Sequence, residues 1–75
     1  MSRTVFWVSP HDDGWKVQRE GASQASNVLA TKLEAIERGR ELAKANQPGQ
    51  LIMQRADGTI EEEWTYGDDP GASAG

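Results

Sequence analysis

The residue best suited to acid–base or metal chemistry is His11, which Asp12 and Asp13 follow directly. An imidazole beside two carboxylates can hold a metal ion or move a proton. His11 is the only histidine and cysteine is absent, so the sequence offers no second nitrogen ligand and no thiolate. The surrounding residues 9–14, SPHDDG, are dense in turn formers. We therefore expect a solvated turn that contains no metal site and no catalytic residue.

Three consecutive glutamates, Glu61, Glu62 and Glu63, form the second chemical candidate. Clustered carboxylates can bind a divalent cation or imitate the phosphates of a nucleic acid. Side chains alternate along a strand, so Glu61 and Glu63 share one face while Glu62 lies on the other. The three carboxylates then cannot converge on one ion. We expect an acidic strand face that protects the edge of a sheet.

The third candidate is a recognition surface built on the tryptophans, Trp7, Trp15 and Trp64. A sheet face that carries tryptophans and basic side chains can stack bases and contact phosphates. Tryptophan is also the bulk that lets a small core exist, and we expect at least two of the three to be mostly buried. The residues predicted for a recognition surface are Trp7, Lys16, Arg19 and Arg55.

Other signatures of chemistry are missing, since glycine-rich phosphate loops, Ser/His/Asp arrangements and paired buried carboxylates do not occur in the sequence. We expect a protein that is not an enzyme and binds no cofactor. The net charge of −4 and the pI near 4.8 disfavour general nucleic-acid binding. No apolar run is long enough to cross a membrane, and the N-terminus has no secretory pattern. These features are typical of a soluble, cytoplasmic, bacterial protein.

The sequence predicts an amphipathic helix over residues 32–46, and this helix must hold the strands that carry the candidate residues in place. Thr31 and Glu34 form an S/T-x-x-E capping box at its start, and Pro48-Gly49 stops it. Gly39 falls on the apolar side of the helix, where we expect it to admit a bulky sheet residue, a tryptophan. The apolar side consists of Leu33, Ala35, Ile36, Gly39, Leu42 and Ala43.

Four β-branched, aromatic or alternating segments predict strands, over residues 4–8, 15–19, 50–55 and 59–66. A hairpin with a loop of about five residues joins the first two, and Asp57-Gly58 indicates a second hairpin. Residues 22–30 form a connector with room for a short extended piece. The predicted fold is α+β, in the order ββαββ, with a four-stranded, mostly antiparallel sheet from two hairpins and the helix on one face. The strand order stays open.

Two registers are possible for the second hairpin. A two-residue loop, Asp57-Gly58, places on one face Leu51, Met53, Ile60, Glu62, Trp64 and Tyr66. A three-residue loop over residues 56–58, with a bulge, instead gathers Ile52, Ile60, Trp64 and Tyr66. We favour the first register because it buries more apolar side chains.

The length of 75 residues predicts one compact domain, residues 1–66, close to the lower limit for an independent core. Residues 67–75, GDDPGASAG, predict a flexible tail. So small a chain without disulfides favours a homodimer that buries further apolar surface. The predicted core consists of Val8, Trp15, Val17, Leu33, Ile36, Leu42, Met53, Ile60 and Trp64.

The ordered motifs resemble a family of small bacterial proteins, the domain-of-unknown-function family 2188. The segments that carry the resemblance are residues 14–28, GWKVQREGASQASNV, residues 31–46, TKLEAIERGRELAKAN, and residues 57–70, DGTIEEEWTYGDDP. The resemblance implies a compact ββαββ domain. It implies no activity, cofactor or partner.

The missing chemistry, the acidic charge and the small core favour a non-enzymatic binding or regulatory module that acts through protein–protein contacts. Its partner is a second protein or a second copy of the chain, and we expect no contact with a membrane. The alternative hypothesis is a nucleic-acid-binding module in which the first hairpin supplies tryptophans together with Lys16 and Arg19.

Overall fold

The protein is described by a computed structural model that covers residues 3–67. The predicted tail, residues 67–75, lies outside the described residues apart from Gly67. The strands are β1 (Thr4–His11), β2 (Gly14–Arg19), β3 (Asn27–Leu29), β4 (Gly49–Gln54) and β5 (Ile60–Tyr66), and the helix is α1 (Lys32–Ala45).

The sheet has five strands in the order β3-β2-β1-β4-β5. The predicted α+β class is confirmed, but the four-stranded, mostly antiparallel sheet is wrong in two respects. The connector contains β3, which pairs antiparallel with β2. The central strand β1 and its neighbour β4 run parallel, because the long connection through α1 returns the chain to its starting side of the sheet.

The first hairpin is tighter than predicted. Its ladder extends to the pair His11–Gly14, so the loop has two residues, Asp12 and Asp13, instead of about five. Asp12 takes up the turn with a positive φ of 51°, a conformation that aspartate tolerates better than most residues.

The second hairpin combines both predicted registers. At the turn, Arg55 pairs with Thr59 around a three-residue loop, and the N–H of Gly58 donates to the Arg55 carbonyl at 3.0 Å. A bulge between Met53 and Gln54 then shifts the ladder by one residue. Beyond the bulge the favoured register holds, with Leu51 opposite Trp64, whereas Ile60 pairs with Gln54.

The helix begins at the predicted capping box. The Thr31 hydroxyl accepts a hydrogen bond from the Glu34 N–H at 3.1 Å, and the Glu34 carboxylate accepts from the Thr31 N–H at 3.2 Å. Its buried stripe consists of small residues one turn apart, Ala35, Gly39 and Ala43. A narrow stripe of this kind lets the helix axis lie close to the sheet.

Close approach at Gly39 is confirmed, but the predicted tryptophan is wrong. A Cβ at this position would lie 2.6 Å from Cδ1 of Leu51 and 3.3 Å from Cγ2 of Val8. The aliphatic side chains of β1 and β4 therefore receive the helix.

The core lies between α1 and one face of the sheet. Its fully enclosed side chains include Val8, Val17, Leu51 and Met53, with Trp15, Ile36, Leu42 and Trp64 packed at the margin. The prediction was wrong for Leu33, which is 66 % exposed, and for Ile60, which is 47 % exposed. Leu33 lies about 120° around the helix from Gly39, away from the contact stripe. Core residues that the prediction missed are Phe6, Ala35, Ala43 and Leu51.

Candidate interaction surface

The second face of the sheet carries no helix in the described part of the chain, and we call it the helix-free face. Strand alternation and the observed registers define its residues. They are Val5, Trp7 and Ser9 of β1; Lys16 and Gln18 of β2; Val28 of β3; Gln50, Ile52 and Gln54 of β4; and Ile60, Glu63 and Thr65 of β5.

Trp7 and Ile52 lie side by side at the centre of this face, paired across the parallel strands β1 and β4. Ile52 is 7 % exposed although no second layer covers it, and Trp7 is half-buried. The Trp7 indole N–H donates a hydrogen bond to the Glu20 carboxylate at 3.1 Å. This bond holds the ring in place, so the surface has an ordered aromatic centre.

A shallow depression of about 280 Å³ opens beside Trp7. Polar side chains surround it, and the Gln18 amide that contributes to its wall donates to the Ala22 carbonyl at 2.7 Å. The residues that line the depression are Trp7, Ser9, Lys16, Gln18, Arg19, Glu20, Gly21 and Gln54. Its walls thus offer hydrogen-bond donors and acceptors around one aromatic ring.

Lys16 and Glu63 are the charged members of the twelve strand residues on the helix-free face. They lie on β2 and β5, on opposite sides of the centre. Two further charges reach this face from beside the strands, because Glu20 accepts from the Trp7 indole and Arg3 donates to the Gln50 amide oxygen at 3.2 Å. Glu63 accepts a hydrogen bond from the Gln50 amide at 2.7 Å. Within residues 3–67, no carboxylate lies within 4 Å of the Lys16 ammonium. The outer side of α1 contrasts with this face, because Glu37, Arg40, Glu41 and Lys44 border one depression there.

The structure brings together part of the predicted recognition surface. Trp7 and Lys16 share the helix-free face, and Arg19 borders the same depression. Arg19 pairs with Phe6, however, so alternation directs its Cβ to the helix side. Arg55 lies apart in the second hairpin, where its guanidinium donates to the Thr59 hydroxyl at 3.2 Å.

Local sequence patterns did not predict five residues of this surface, which are Gln18, Glu20, Ile52, Gln54 and Glu63. The residue of β2 on this face, Gln18, could have been found by following alternate side chains along the first hairpin from Trp7. The β4 and β5 members required the strand order, which local patterns do not contain.

The predicted solvated turn at His11 is observed. His11 Nε2 lies 3.5 Å from Asp12 Oδ2, and their side chains are 43 % and 86 % exposed. Among the described residues, no group of three acidic, histidine or cysteine side chains is arranged to hold a metal ion.

The side chains of Glu61, Glu62 and Glu63 do not converge on one point, but their distribution between the two faces differs from the one that alternation predicted. Glu61 pairs with Lys32 of the helix at 2.8 Å, whereas Glu63 lies on the helix-free face. The expectation that Glu61 and Glu63 share a face was wrong, because the bulge at Glu61 shifts the alternation by one residue. The hydrogen bond from Lys32 lowers the pKa of Glu61 below its ordinary value of 4.5.

The second hairpin contains another carboxylate with a shifted pKa. Asp57 accepts hydrogen bonds from the Thr59 N–H at 3.0 Å and from the Thr59 hydroxyl at 2.7 Å. These bonds lower the pKa of Asp57 below its ordinary value of 3.8. Both bonds stabilise the turn, so this carboxylate has a structural role.

Comparison with known proteins places the described fold in a family. Residues 6–66 match the family described as "Uncharacterized protein conserved in bacteria (DUF2188)". The chain belongs to this family. The DUF2188 match begins within β1 and covers every later strand and the helix completely.

Two curated proteins contain a similar segment. The chain is 41 % identical over 56 residues to "Uncharacterized protein YdaT" of Bacillus subtilis (strain 168), and these residues are 75 % of the chain and 37 % of that protein. It is 38 % identical over 55 residues to "Exodeoxyribonuclease 7 large subunit" of Rickettsia akari (strain Hartford), which covers 73 % of the chain and 12 % of that protein. No solved structure matches. The helix of the described residues is too short and too polar to span a bilayer.

Proposed function

We propose that this DUF2188 domain is a non-enzymatic binding module that contacts a protein partner through the helix-free face. The observation that carries the proposal is the composition of that face. Its centre is Trp7 beside Ile52, and ten of the twelve strand residues defined above are uncharged. The charges of Glu20 and Arg3 reach the face from beside the strands. Interface centres are depleted in charge and enriched in tryptophan in the same way.

The amide-rich, aromatic composition of the helix-free face differs from that of the outer side of α1. Charged residues form 27 % of the chain, and the outer side of α1 carries them densely. A surface selected only for solubility has no reason to concentrate amides and an aromatic ring on one face.

The matched relatives give independent support for a module. The matched segment accounts for 37 % of the Bacillus protein and 12 % of the Rickettsia protein. A unit of about the same length therefore occurs within longer proteins of different size. A small domain whose role is to bind a partner can be joined to other domains in this way.

Nucleic acid is the second candidate ligand, and one observation favours it. The Rickettsia relative is named as a subunit of an exodeoxyribonuclease, and Trp7 with Lys16 offers a ring and a cation on one face. The charges oppose it, because Glu20 lies against Trp7, Glu63 occupies the far side, and the net charge is −4.

The test is affinity capture from a bacterial lysate with wild type and two matched variants, each with and without nuclease. Ser9→Arg places a long cation beside Trp7, and Ala45→Arg places the same side chain on the exposed end of α1. A stoichiometric protein that survives nuclease, is lost with Ser9→Arg and is retained with Ala45→Arg supports the proposal.

Retention of the protein by Ser9→Arg overturns the assignment to the helix-free face. Loss of all captured material on nuclease treatment replaces the protein partner with nucleic acid.

A further inference from the structure

We infer that Glu20 is a positioning residue of the helix-free face, and that the turn which carries it fixes the Trp7 ring in the orientation that the protein partner binds. This inference rests on the proposed function and names a residue on which partner binding depends. Glu20 is the first residue after β2. The hydrogen bonds of the following turn place its side chain beside the ring.

The turn that follows β2 consists of residues 19–22, and we call it the positioning turn. The Ala22 N–H donates to the Arg19 carbonyl at 3.0 Å, and Gly21 has a φ of 88°. A positive φ at the third residue is typical of a type II turn, in which glycine is favoured at that place. A Cβ on Gly21 would meet nothing within 4 Å. The backbone conformation, and not a lack of space, therefore favours glycine here.

Two further hydrogen bonds attach the positioning turn to the sheet. The Glu20 N–H donates to the Val5 carbonyl of β1 at 2.8 Å, and the Gln18 side-chain amide donates to the Ala22 carbonyl at 2.7 Å. Glu20 is thus held opposite Val5, which makes it the diagonal neighbour of Trp7 at about 7 Å between Cα atoms, a distance that an aromatic side chain spans.

The side chains of Trp7 and Glu20 meet across this diagonal. The Trp7 indole N–H donates to the Glu20 carboxylate at 3.1 Å, and an ionised acceptor makes such a bond stronger than a neutral one does. Ile52 lies beside Trp7 on β4. The ring therefore has one orientation before any partner arrives. A side chain that is already ordered loses less conformational entropy on association.

The same bond prepares the ring for burial. A partner that covers Trp7 removes water from the indole N–H, and a buried donor without an acceptor opposes association. Glu20 supplies the acceptor from within the chain. Trp7 can then be covered without a matching acceptor from the partner. What the ring offers to the partner is its apolar face.

A positioning role and a purely structural role predict different results for loss of the Glu20 carboxylate. Glu20 is exposed, and the buried core cluster of the described residues contains no member of the positioning turn. We therefore expect Glu20→Ala to melt near the temperature of wild type while it binds the partner more weakly. A structural role predicts the reverse order of effects.

The experiment replaces the acceptor in two ways. Glu20→Ala removes it, whereas Glu20→Gln removes the charge and keeps an amide oxygen that can accept from the indole N–H. The first measurement is the exchange of the Trp7 indole N–H with solvent, followed by NMR in the full chain. Exchange is expected to be faster in Glu20→Ala than in wild type and close to the wild-type rate in Glu20→Gln.

Gly21→Ala tests the positioning turn without changing the carboxylate. Alanine is strained at a φ of 88°, so the turn shifts Glu20 and the Trp7 N–H is expected to exchange faster. Gly58→Ala is the matched control in the second hairpin, because Gly58 has a φ of 91° and a Cβ there would also meet nothing within 4 Å. It is expected to leave the Trp7 signal unchanged.

The second measurement is the affinity of each variant for the protein that the lysate capture yields. Glu20→Ala is expected to weaken binding about three- to tenfold, and Glu20→Gln to restore most of the loss. Wild-type affinity in Glu20→Ala, or a Glu20→Gln variant as weak as Glu20→Ala, overturns the positioning role. An unchanged exchange rate of the Trp7 N–H in Glu20→Ala overturns it as well.

The capture with Ser9→Arg keeps failure of this inference separate from failure of the proposed function. A protein that is lost with Ser9→Arg but bound equally by wild type and Glu20→Ala leaves the binding surface in place and removes Glu20 from its function. Retention of the protein by Ser9→Arg overturns the proposed function, and this inference with it.

Discussion

The two faces of the sheet are built from the same five strands, yet they differ in almost every property that affects packing. The helix side is aliphatic and close-packed, with Val8, Val17, Leu51 and Met53 enclosed under α1. The helix-free side has one aromatic centre, and hydrogen-bonding groups surround it. Because side chains alternate along each strand, neighbouring residues such as Leu51 and Ile52 belong to different environments.

This difference separates stability from recognition. Substitutions on the helix side should lower the free energy of unfolding, while polar substitutions on the helix-free side should leave it nearly unchanged and alter association instead. Substitutions on the two faces can test this separation, and the largest effect is expected in the enclosed core.

Leu51→Ala should cost about 2–5 kcal/mol of unfolding free energy, because the side chain is fully enclosed and the cavity cannot collapse against the helix. Ile52→Ala, one residue along, should cost less, since its face is open and its neighbours can relax into the gap. Denaturant melts of both variants provide the measurement. An Ile52→Ala loss as large as that of Leu51→Ala would show that the two faces do not differ in stability.

Gly49→Ala should destabilise the fold by about 1–3 kcal/mol. The new Cβ would overlap the backbone carbonyl of Ala43 at the end of the helix, and backbone cannot move aside. Gly39→Ala is the comparison, because there the Cβ meets the end of a Leu51 side chain, and a helical alanine is favoured over glycine by roughly 1 kcal/mol. We expect its melting temperature to stay near that of wild type. A ranking in which Gly39→Ala is the more harmful would contradict the helix–sheet contact described here.

Thr31→Ala removes the hydroxyl that accepts from the Glu34 N–H. Loss of an N-cap of this kind costs about 1 kcal/mol. Thr31→Ser retains the hydroxyl and should recover most of that loss in thermal unfolding. Partner capture should not respond to either variant, since the cap lies on the helix side.

The smallest effect is expected on acidification. The lowered pKa values of Glu61 and Asp57 mean that their contributions are fully present above the ordinary values of 4.5 and 3.8, and are lost as pH falls through the lower folded values. The denaturation midpoint of wild type should therefore fall at pH 3. Glu61→Gln should be less stable than wild type at pH 7 and lose less between pH 7 and pH 3. An equal loss of stability between pH 7 and pH 3 in both proteins would show that the Lys32–Glu61 pair does not contribute to the pH dependence.

Local patterns predicted a good deal of this fold. The capping box and the 3.6-residue period located the helix to within one residue of Ala45, and alternation located both hairpins. β3 was missed as a strand because three residues are too short to show alternation. The parallel pairing of β1 and β4 was missed because it joins segments that are distant in sequence, and no local signal specifies it.

The errors in the core and in the surface have the same origin. Ile60 and Glu61 change faces at a bulge, which alternation alone does not reveal. Leu33 is apolar but lies away from a stripe of small residues that hydrophobicity alone does not identify. Trp7 and Lys16 share a face because one hairpin contains both, whereas Arg55 belongs to a different turn.

The most direct test of the separation between the two faces uses the three tryptophans as internal probes. Trp7 lies on the helix-free face, while Trp15 and Trp64 pack against the core on the other side. Their indole N–H signals can be followed by NMR in wild type before and after addition of the protein that the lysate capture yields. Our account predicts that the Trp7 signal shifts on this addition while the Trp15 and Trp64 signals stay constant. Shifts confined to Trp15 or Trp64, with Trp7 unchanged, would contradict it.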